Sequence, residues 1–516
     1  MKDIYEGAET TRRSLLAGTV GAAGMLAIPW LRRAGAQSRR LSEKEQREKV
    51  EAALPAKAFA TPRKPRRLLI FDLNVNYGGH ASIPTANMAF TMMGARTGAF
   101  ETEISRDPAV FAPGSLKRFD AVFFNNTVGN CFEDPALRQS LVEFVYAGGG
   151  LMGVHGTSVA FTKWPGAIED WPEFGIMLGA RGANHKANNE HVFIKLDDPA
   201  HPIVQPFGGD FDYRDEFFRV HEPYSRNRVR VLLSIDTGRT DMNQKPAYGK
   251  VLRDDNDYAL AWVRQYGRGR VFYCGFAHHP AVFWDPKMLQ FYLAATQFAL
   301  GDLSGPTTPS ARLTRAIRAR EQLGWRLGLV PSAPDGLTLF ETIDKAAELG
   351  LLYVGASSRQ MVSDSIPKAI NERLNGEDRR RIRLKLDEAG VRLLTYQIDR
   401  VPSDEGRSRD LVAFAWKMGV EAVTAERASG ILKRPCDEHD IRFVTSSSDE
   451  RGIVPLGHLN EERLAATLER IHRMNAVPVM FGVEFPRGEA ASTSSIARTI
   501  EFFGKMSLQI AKRSKS

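Results

Sequence analysis

Residues 148–158 read GGGLMGVHGTS, an apolar strand that leaves a glycine turn and stops at a histidine between small residues. In open α/β sheets the ligand crevice lies at the carboxyl ends of the strands, and flanking glycines allow a sharp bend and a close approach of substrate. The spacing of Gly153 and His155 is that of a nucleophile elbow, with an imidazole in place of a serine or cysteine. We therefore expect His155 to face a binding crevice. A histidine that only closes a βα turn is the alternative.

The segments around this stretch alternate between strands and helices. Apolar runs predict strands at residues 68–71 and 119–124, and residues 135–146 predict the helix that leads back to the glycine turn. Four short strands in quick succession predict antiparallel additions at one sheet edge, followed by a closing helix: residues 191–196, 229–235, 258–264 and 269–274, then 286–300. The order predicts a doubly wound α/β sheet domain over residues 65–302.

A second βα rhythm begins after a linker at residues 303–325, which is recognised by its glycine, serine and proline content. Residues 326–510 contain about six βα units, whereas a complete eight-unit barrel usually takes about 250 residues. We therefore expect a shortened (β/α) barrel-like domain in this half of the chain.

Composition narrows the class of protein. The 516 residues are 43% hydrophobic and 25% charged, which is typical of globular domains. The net charge of +9 is spread over arginine-rich helices without a nucleic-acid motif, so no nucleic-acid partner is expected. Cys131, Cys274 and Cys436 are too few and too scattered for a disulfide framework, and we expect free or buried thiols.

The amino-terminal segment has the features of an export signal. Arg12 and Arg13 precede an apolar run at residues 17–30, and small residues at 34–36 offer a cleavage site. This resembles a twin-arginine signal over residues 1–37, followed by a charged spacer at 38–64 with one short helix. We expect a periplasmic or extracellular protein without a stable membrane span. An uncleaved anchor is the alternative, although the run is shorter than the about 20 residues of a span.

Histidines concentrate in the first domain. Eight of the eleven lie between His80 and His279, and four of them are expected in loops at one sheet edge: His80, His155, His185 and His278. Imidazoles suit acid–base work and also suit a metal ion, so a divalent metal such as zinc is compatible with the site, although the sequence does not establish one. The pair Asp215 and Glu216 adds carboxylates between aromatic residues.

The motifs in the first domain resemble the ThuA (trehalose utilisation) family. The resemblance covers roughly residues 65–302 and rests on these segments: 79–84, 119–122, 148–158, 198–202, 215–216 and 269–278. It implies a flavodoxin-like sheet similar to class I glutamine amidotransferases and a role in carbohydrate metabolism, including 3-keto sugars. Carried over by motif, the residues that would line the pocket are His80, His155, His185, Glu216 and His278.

The second half resembles xylose-isomerase-like barrels in residues 356–360, residues 386–392 and the strand that ends in Glu484. Only Glu484 matches a metal ligand of that family, because residues 444–448 replace its histidine-rich strand end and Gly355 carries no ligand. One ligand does not make a divalent site. We expect a degenerate barrel used for packing, substrate enclosure or partner contact, without independent isomerase activity.

These observations favour an enzyme that hydrolyses or eliminates across a glycosidic bond of an oxidised (3-keto) sugar. His155 or His278 would be the base, and Glu216 or the other imidazole the acid, with a metal polarising the ketone as an option. The predicted substrate-binding residues are His80, Ser82, Asn126, Trp164, His185 and Asp215. The alternative is a non-catalytic carbohydrate-binding or scaffold protein. A glutaminase is disfavoured because the elbow lacks a thiol. The sequence leaves the oligomeric state open.

Export can be tested directly. Replacing the paired arginines (Arg12→Lys with Arg13→Lys) should block translocation, because the twin-arginine receptor reads the two guanidinium groups. Periplasmic recovery of the folded protein measures the effect, with the unchanged sequence as control. Equal recovery of the two proteins would contradict the prediction.

Overall fold

Strands and helices alternate along most of the chain. The computed structural model describes residues 41–166, 168–243, 253–331, 336–427, 429–445, 452–456, 459–484 and 493–514, so the predicted signal at 1–37 lies outside the described residues. The strands are β1 (Arg67–Phe71), β2 (Glu101–Ser105), β3 (Ala121–Asn125), β4 (Gly150–Val154), β5 (Thr162–Lys163), β6 (Ile168–Glu169), β7 (Arg181–His185), β8 (Glu190–Leu196), β9 (Phe211–Asp215), β10 (Phe218–His221), β11 (Arg230–Ile235), β12 (Ala259–Tyr266), β13 (Gly269–Cys274), β14 (Leu327–Val330), β15 (Tyr353–Ser357), β16 (Met361–Ser363), β17 (Ile366–Ala369), β18 (Arg392–Ile398), β19 (Ala422–Ala425), β20 (Arg442–Thr445), β21 (Ile453–Pro455) and β22 (Met480–Glu484). The helices are α1 (Glu43–Ala53), α2 (Ile83–Thr97), α3 (Pro113–Leu116), α4 (Pro135–Tyr146), α5 (Pro172–Leu178), α6 (Pro286–Leu300), α7 (Arg315–Leu323), α8 (Leu339–Glu348), α9 (Gly376–Ala389), α10 (Glu405–Lys417), α11 (Gly430–Glu438), α12 (Glu461–Arg473) and α13 (Thr493–Arg513).

A large mixed sheet forms the first half of the protein. Its strand order is β2-β1-β3-β4-β13-β12-β11-β8-β9. The strands from β2 to β13 are parallel, whereas β12, β11, β8 and β9 join by antiparallel pairing. The predicted flavodoxin-like sheet is confirmed, and of the four strands predicted as antiparallel additions, β8, β11 and β12 are antiparallel to their neighbours on both sides. The fourth, β13, differs from the prediction because it pairs in parallel with β4.

Apolar side chains cover both faces of this sheet. Successive residues of a strand point to opposite faces, so Ile70 of β1 packs in the core cluster that contains residues of α2 and α6. Its neighbour Phe71 packs in a separate cluster with residues of α4 and α5. Helices on both faces make the sheet doubly wound. At the central strand β4, Gly150 is needed because a Cβ there would lie 2.4 Å from the carbonyl oxygen of Ala299 in α6.

Two helices have the predicted boundaries because their ends carry strong local signals. Asp134 and Asp285 accept N-cap hydrogen bonds at the starts of α4 and α6, and a proline occupies the first turn of each. Another segment differs from prediction. The segment at 303–325, predicted to be a linker, contains α7.

The second half is a curled, all-parallel sheet of seven strands in the order β20-β19-β18-β15-β14-β22-β21. Six of these strands are followed by helices α8 to α13 in turn, in agreement with the six predicted βα units. Within the described residues, β20 and β21 do not pair with each other, so this half-barrel stays open. The predicted shortened barrel is confirmed.

The half-barrel contacts the amino-terminal end of the first sheet. The carboxylate of Asp387 in α9 pairs with Arg228 and Arg264 of the first half. The Arg392 guanidinium donates to the carbonyl oxygen of Gly267, in the turn that precedes β13. These contacts lie within one compact unit, Glu43–Ser516.

Other expectations concern thiols and membranes. All three cysteines are free and buried, as predicted. Within the described ranges, no helix combines the length and apolarity that crossing a bilayer requires.

Removing the Asp387 carboxylate should weaken the junction. The substitution Asp387→Asn leaves two largely buried arginines without their counter-charge, which typically costs about 3 kcal/mol. The denaturant midpoint, followed by tryptophan fluorescence, measures the loss. Asp344→Asn is the matched control, because Asp344 pairs with Lys385 of the same helix α9 but is 53% exposed, and such pairs contribute less than about 1 kcal/mol. Equal midpoints for the two variants would contradict the assignment.

Candidate functional site

Four side chains meet at one edge of the first sheet, beyond the carboxyl ends of β1, β4, β9 and β13. His80 lies in the loop between β1 and α2, His155 follows β4 directly, and His278 follows β13. Glu216 follows β9, so four separate segments contribute one side chain each. One nitrogen or oxygen atom from each residue lies within 4.8 Å of those of the others. We call these four residues the histidine cluster.

His155 has a constrained backbone and a defined tautomer. Its φ is 41°, in the left-handed region that few residues other than glycine adopt, and its side chain is fully buried. The Nδ1 atom lies 3.2 Å from the carbonyl oxygen of Gly275. A carbonyl only accepts, so Nδ1 carries the proton of this bond. The other nitrogen, Nε2, faces the cluster without a hydrogen-bond partner.

Glu216 stands at the centre of the cluster. Its Oε1 lies 3.4 Å from Nε2 of His155 and 3.4 Å from Nδ1 of His278. Its Oε2 lies 3.3 Å from Nδ1 of His185, at the end of β7. A single carboxylate is therefore shared among three imidazoles, and its side chain is only 5% exposed.

His80 packs edge-on against its neighbours. Its ring lies 4.8 Å from that of His155 and 5.3 Å from that of His278. Gly156 makes room for this packing, because a Cβ there would lie 3.0 Å from Cε1 of His80 and 3.1 Å from Val128. The glycine after the elbow histidine thus permits the contact between two imidazoles.

The pKa values within the cluster shift in different directions. Burial alone would raise the pKa of Glu216, but His155 and His278 outweigh it and the pKa falls. Burial lowers the pKa of His80 to about 2. Burial would also lower the pKa of His278, but Glu216 raises it by more. At neutral pH the site therefore holds a carboxylate and a neutral His80.

Asp215 lies beneath the cluster and fixes the path of the chain at His278. Its Oδ2 accepts from the backbone N–H groups of Ala277 (2.9 Å) and His278 (3.2 Å), and its Oδ1 accepts from that of His279 (3.0 Å). The residue is fully buried. These contacts make Asp215 a positioning residue, and the predicted substrate-binding role stays a prediction.

Ser82 and Asn126 join the loops around the cluster. The Ser82 hydroxyl donates to the carbonyl oxygen of Ala277 (2.5 Å), and the Asn126 amide donates to the same oxygen (3.0 Å). The side-chain oxygen of Asn126, Oδ1, accepts from the backbone N–H of Gly156 (3.1 Å). Both side chains are fully buried, so the structure shows them binding backbone, and their predicted contact with substrate stays a prediction.

Half-buried side chains border the cluster. The Tyr77 hydroxyl lies 3.3 Å from Nε2 of His80, and the Trp164 ring stands edge-on to Tyr77 at 5.6 Å. His185 packs against Phe218, which also contacts the ring of His155. Sequence reasoning missed Tyr77, although its place three residues before His80 in the same glycine-rich loop was an available signal.

Three other histidines of the first domain make separate contacts. His201 caps the short 3-10 helix Pro202–Phe207, and burial lowers its pKa to about 4. His191 pairs with Asp212 at the surface, 2.8 Å apart. His221 is exposed at the end of β10. None of these three histidines belongs to the histidine cluster.

The half-barrel has no comparable group of side chains among the described residues. Glu484 ends β22, and Gly355 lies within β15. The predicted replacement of a histidine-rich strand end by Ser446, Ser447 and Ser448 lies outside the described residues, after Val444 and Thr445 of β20. The absence of isomerase activity in this half stays a prediction.

Fold and site together define an α/β protein with a flavodoxin-like sheet and a histidine–carboxylate cluster at its strand ends. Residues 67–299 match the ThuA family, described as trehalose utilisation. The first domain of the chain is therefore ThuA-like, and the half-barrel follows it along the chain. A comparison with curated proteins finds no match.

Solved structures that are similar to parts of this chain include ThuA-like proteins and a xylose isomerase domain-containing protein. A ThuA-like protein from Bacteroides uniformis is 18% identical, with a TM-score of 0.39 over 49% of this chain and 98% of that chain. A ThuA-like protein from Parabacteroides merdae is 17% identical, with a TM-score of 0.34 over 47% of this chain and 93% of its own. A xylose isomerase domain-containing protein from Salmonella typhimurium is 12% identical, with a TM-score of 0.24 over 36% of this chain and 98% of its own.

Substitution of Asp215 tests whether its carboxylate stabilises the turn at residues 277–279. Asp215→Asn replaces an acceptor with an N–H donor that opposes the backbone amides, which should lower the free energy of unfolding by about 2 kcal/mol. Chemical denaturation measures this loss. Asp212→Asn on the same strand β9 is the control, because the Asp212 side chain is 60% exposed and pairs with His191 at the surface. A stability of Asp215→Asn equal to that of the control would show that the turn does not need the carboxylate.

Proposed function

We propose that the ThuA domain is an exported enzyme that acts on a carbohydrate oxidised to a ketone at C3 and breaks its glycosidic bond by elimination or hydrolysis. The observation that carries the proposal is the histidine cluster itself. Three imidazoles and one carboxylate, with ligand or acid–base atoms within 4.8 Å, converge at the sheet edge where open α/β folds bind their ligands. The family description, trehalose utilisation, supports a sugar as the substrate class.

A ketone at C3 makes the chemistry accessible to such a site. The carbonyl acidifies the C2–H bond, so a base removes that proton and the electron pair is delocalised onto the ketone oxygen. The pair then forms the C1=C2 bond while the C1–O bond breaks, and the leaving alkoxide takes a proton. Addition of water across C1=C2 completes a net hydrolysis. An unoxidised glycoside lacks the acidified C–H, so a separate dehydrogenation must supply the substrate.

The geometry suggests how the cluster divides this work. His155 and Glu216 are buried, and the Glu216 carboxylate can stabilise positive charge that develops on a neighbouring imidazole when that imidazole takes up a proton. His278 and His185 are 19% and 26% exposed, so substrate approaches from their side. An imidazole at this open side is the best-placed group to move the C2 proton. Trp164 and Tyr77 border the same region and offer ring faces to a sugar.

Export by the twin-arginine route is part of this proposal. Its support is the sequence of residues 11–36 alone, and it places the substrate outside the cytoplasm.

Substitutions in the cluster should abolish turnover without unfolding the protein. We expect Glu216→Gln and His155→Asn to lower the rate of aglycone release from a chromogenic 3-keto-glucoside by about 10²–10⁴-fold, the range typical of lost acid–base groups. Both anomers of the substrate are assayed, and the denaturant midpoint is measured in parallel. His191→Asn, at the surface pair with Asp212, should retain full activity.

The matching unoxidised glucoside is the second control. It should not be cleaved, because its C2–H bond is not activated. Equal cleavage of the oxidised and unoxidised glucosides, or full activity of His155→Asn, would contradict the proposed chemistry.

A further inference from the structure

We propose that His80, His155, Glu216 and His278 together bind one divalent transition-metal ion of the zinc and manganese class. This inference goes beyond the proposed function, because the elimination described above is written without a metal ion. The proposed metal site is inferred from the geometry of the side chains. It can therefore be tested independently of the proposed function.

The arrangement of lone pairs requires a cation at the centre of the cluster. Because Nδ1 of His155 donates to Gly275, Nε2 of the neutral ring presents a lone pair to Oε1 of Glu216 at 3.4 Å. Two lone pairs facing each other in a buried site repel, so either a proton or a metal ion lies between them. Nδ1 of His278 faces the same oxygen at 3.4 Å and has no hydrogen-bond partner.

Protons alone cannot pair all the lone pairs of the three imidazoles and the carboxylate without leaving excess charge. One carboxylate can neutralise one imidazolium, whereas three imidazole rings lie within 5.3 Å of one another, centre to centre. Protonating all three would place uncompensated positive charge in a buried site, which is costly. A single divalent ion accepts the lone pairs of all four residues at once.

The distances are close to those of a coordination sphere. Bonds of about 2.1 Å to zinc place tetrahedral ligand atoms about 3.4 Å apart. Oε1 of Glu216 lies at this distance from Nε2 of His155 and from Nδ1 of His278, and all four ligand atoms lie within 4.8 Å of one another. Small side-chain rotations therefore suffice to bring the four atoms onto one ion.

Outer contacts orient the proposed ligands, as is usual at metal sites. The Gly275 carbonyl holds the His155 ring, and Asp215 holds the backbone of His278. Nδ1 of His185 lies beside Oε2 of Glu216. The other carboxylate oxygen, Oε1, is therefore the one that faces the proposed ion. Three imidazoles with one carboxylate favour zinc, manganese or iron over calcium and magnesium, which prefer oxygen ligands.

Metal binding is measured on the full chain after removal of metals with a chelator. Titration with Co²⁺, followed by its visible absorption, and elemental analysis after loading with Zn²⁺ should each give one equivalent. His155→Ala and the nearly isosteric Glu216→Gln should weaken binding by more than about 100-fold, since outer-sphere partners alone are worth 10–100-fold. His191→Ala, at a half-buried histidine outside the cluster, should bind metal as the unchanged protein does.

The outcomes distinguish the metal site from the sugar chemistry. One equivalent of metal without turnover of any 3-keto glycoside supports the site and contradicts the proposed function. Turnover by protein that binds no measurable metal overturns the site and leaves the proposed function standing. Binding that survives both cluster substitutions, in variants with unchanged circular dichroism, also overturns it.

Discussion

The carboxylate of Asp215 fixes the arrangement on which the site depends. Its two oxygens accept three consecutive backbone N–H groups, at residues 277–279, and so hold the turn after β13 against the end of β9. Neighbouring residues of an extended chain point in opposite directions, so the next side chain, Glu216, enters the cluster while Asp215 lies under the turn. One strand end therefore sets both the position of His278 and the carboxylate that faces it.

The polar side chains around the cluster have hydrogen-bond partners, whereas nitrogens within the cluster lack them. Ser82 and Asn126 are fully buried but bind the backbone at residues 156 and 277. Nitrogens of His80, His155 and His278 are buried without a hydrogen-bond partner. Each such group costs about 1–3 kcal/mol in a folded protein, and the left-handed backbone of His155 adds strain at the same place. Unpaired buried nitrogens and backbone strain, together at one sheet edge, both lower the stability of the fold. Such a concentration is typical of a site that binds a ligand or carries out a reaction.

The sequence predicted the features that local signals specify. Helices α4 and α6 were predicted to the residue because an aspartate cap and a first-turn proline mark each start. Strand β2 was missed because its sequence, ETEIS, lacks an apolar run and lies at the sheet edge. The histidines at strand ends could be predicted because parallel strands share one carboxyl edge. The division of roles between Asp215 and Glu216 could not, since it depends on which side of the chain faces the turn at residues 277–279.

The position of the half-barrel limits what it can do for the cluster. Its contacts with the first sheet involve the turn at Gly267 and Arg268, before β13 begins, whereas His278 follows the end of that strand. Six strand residues at about 3.3 Å each separate these two edges by about 20 Å. Asp387 and Arg392 therefore anchor the half-barrel to the edge opposite the cluster. Among the roles expected for a degenerate barrel, these contacts favour packing over enclosure of substrate. The four side chains of the histidine cluster all come from residues between His80 and His278, so the second half contributes none of them.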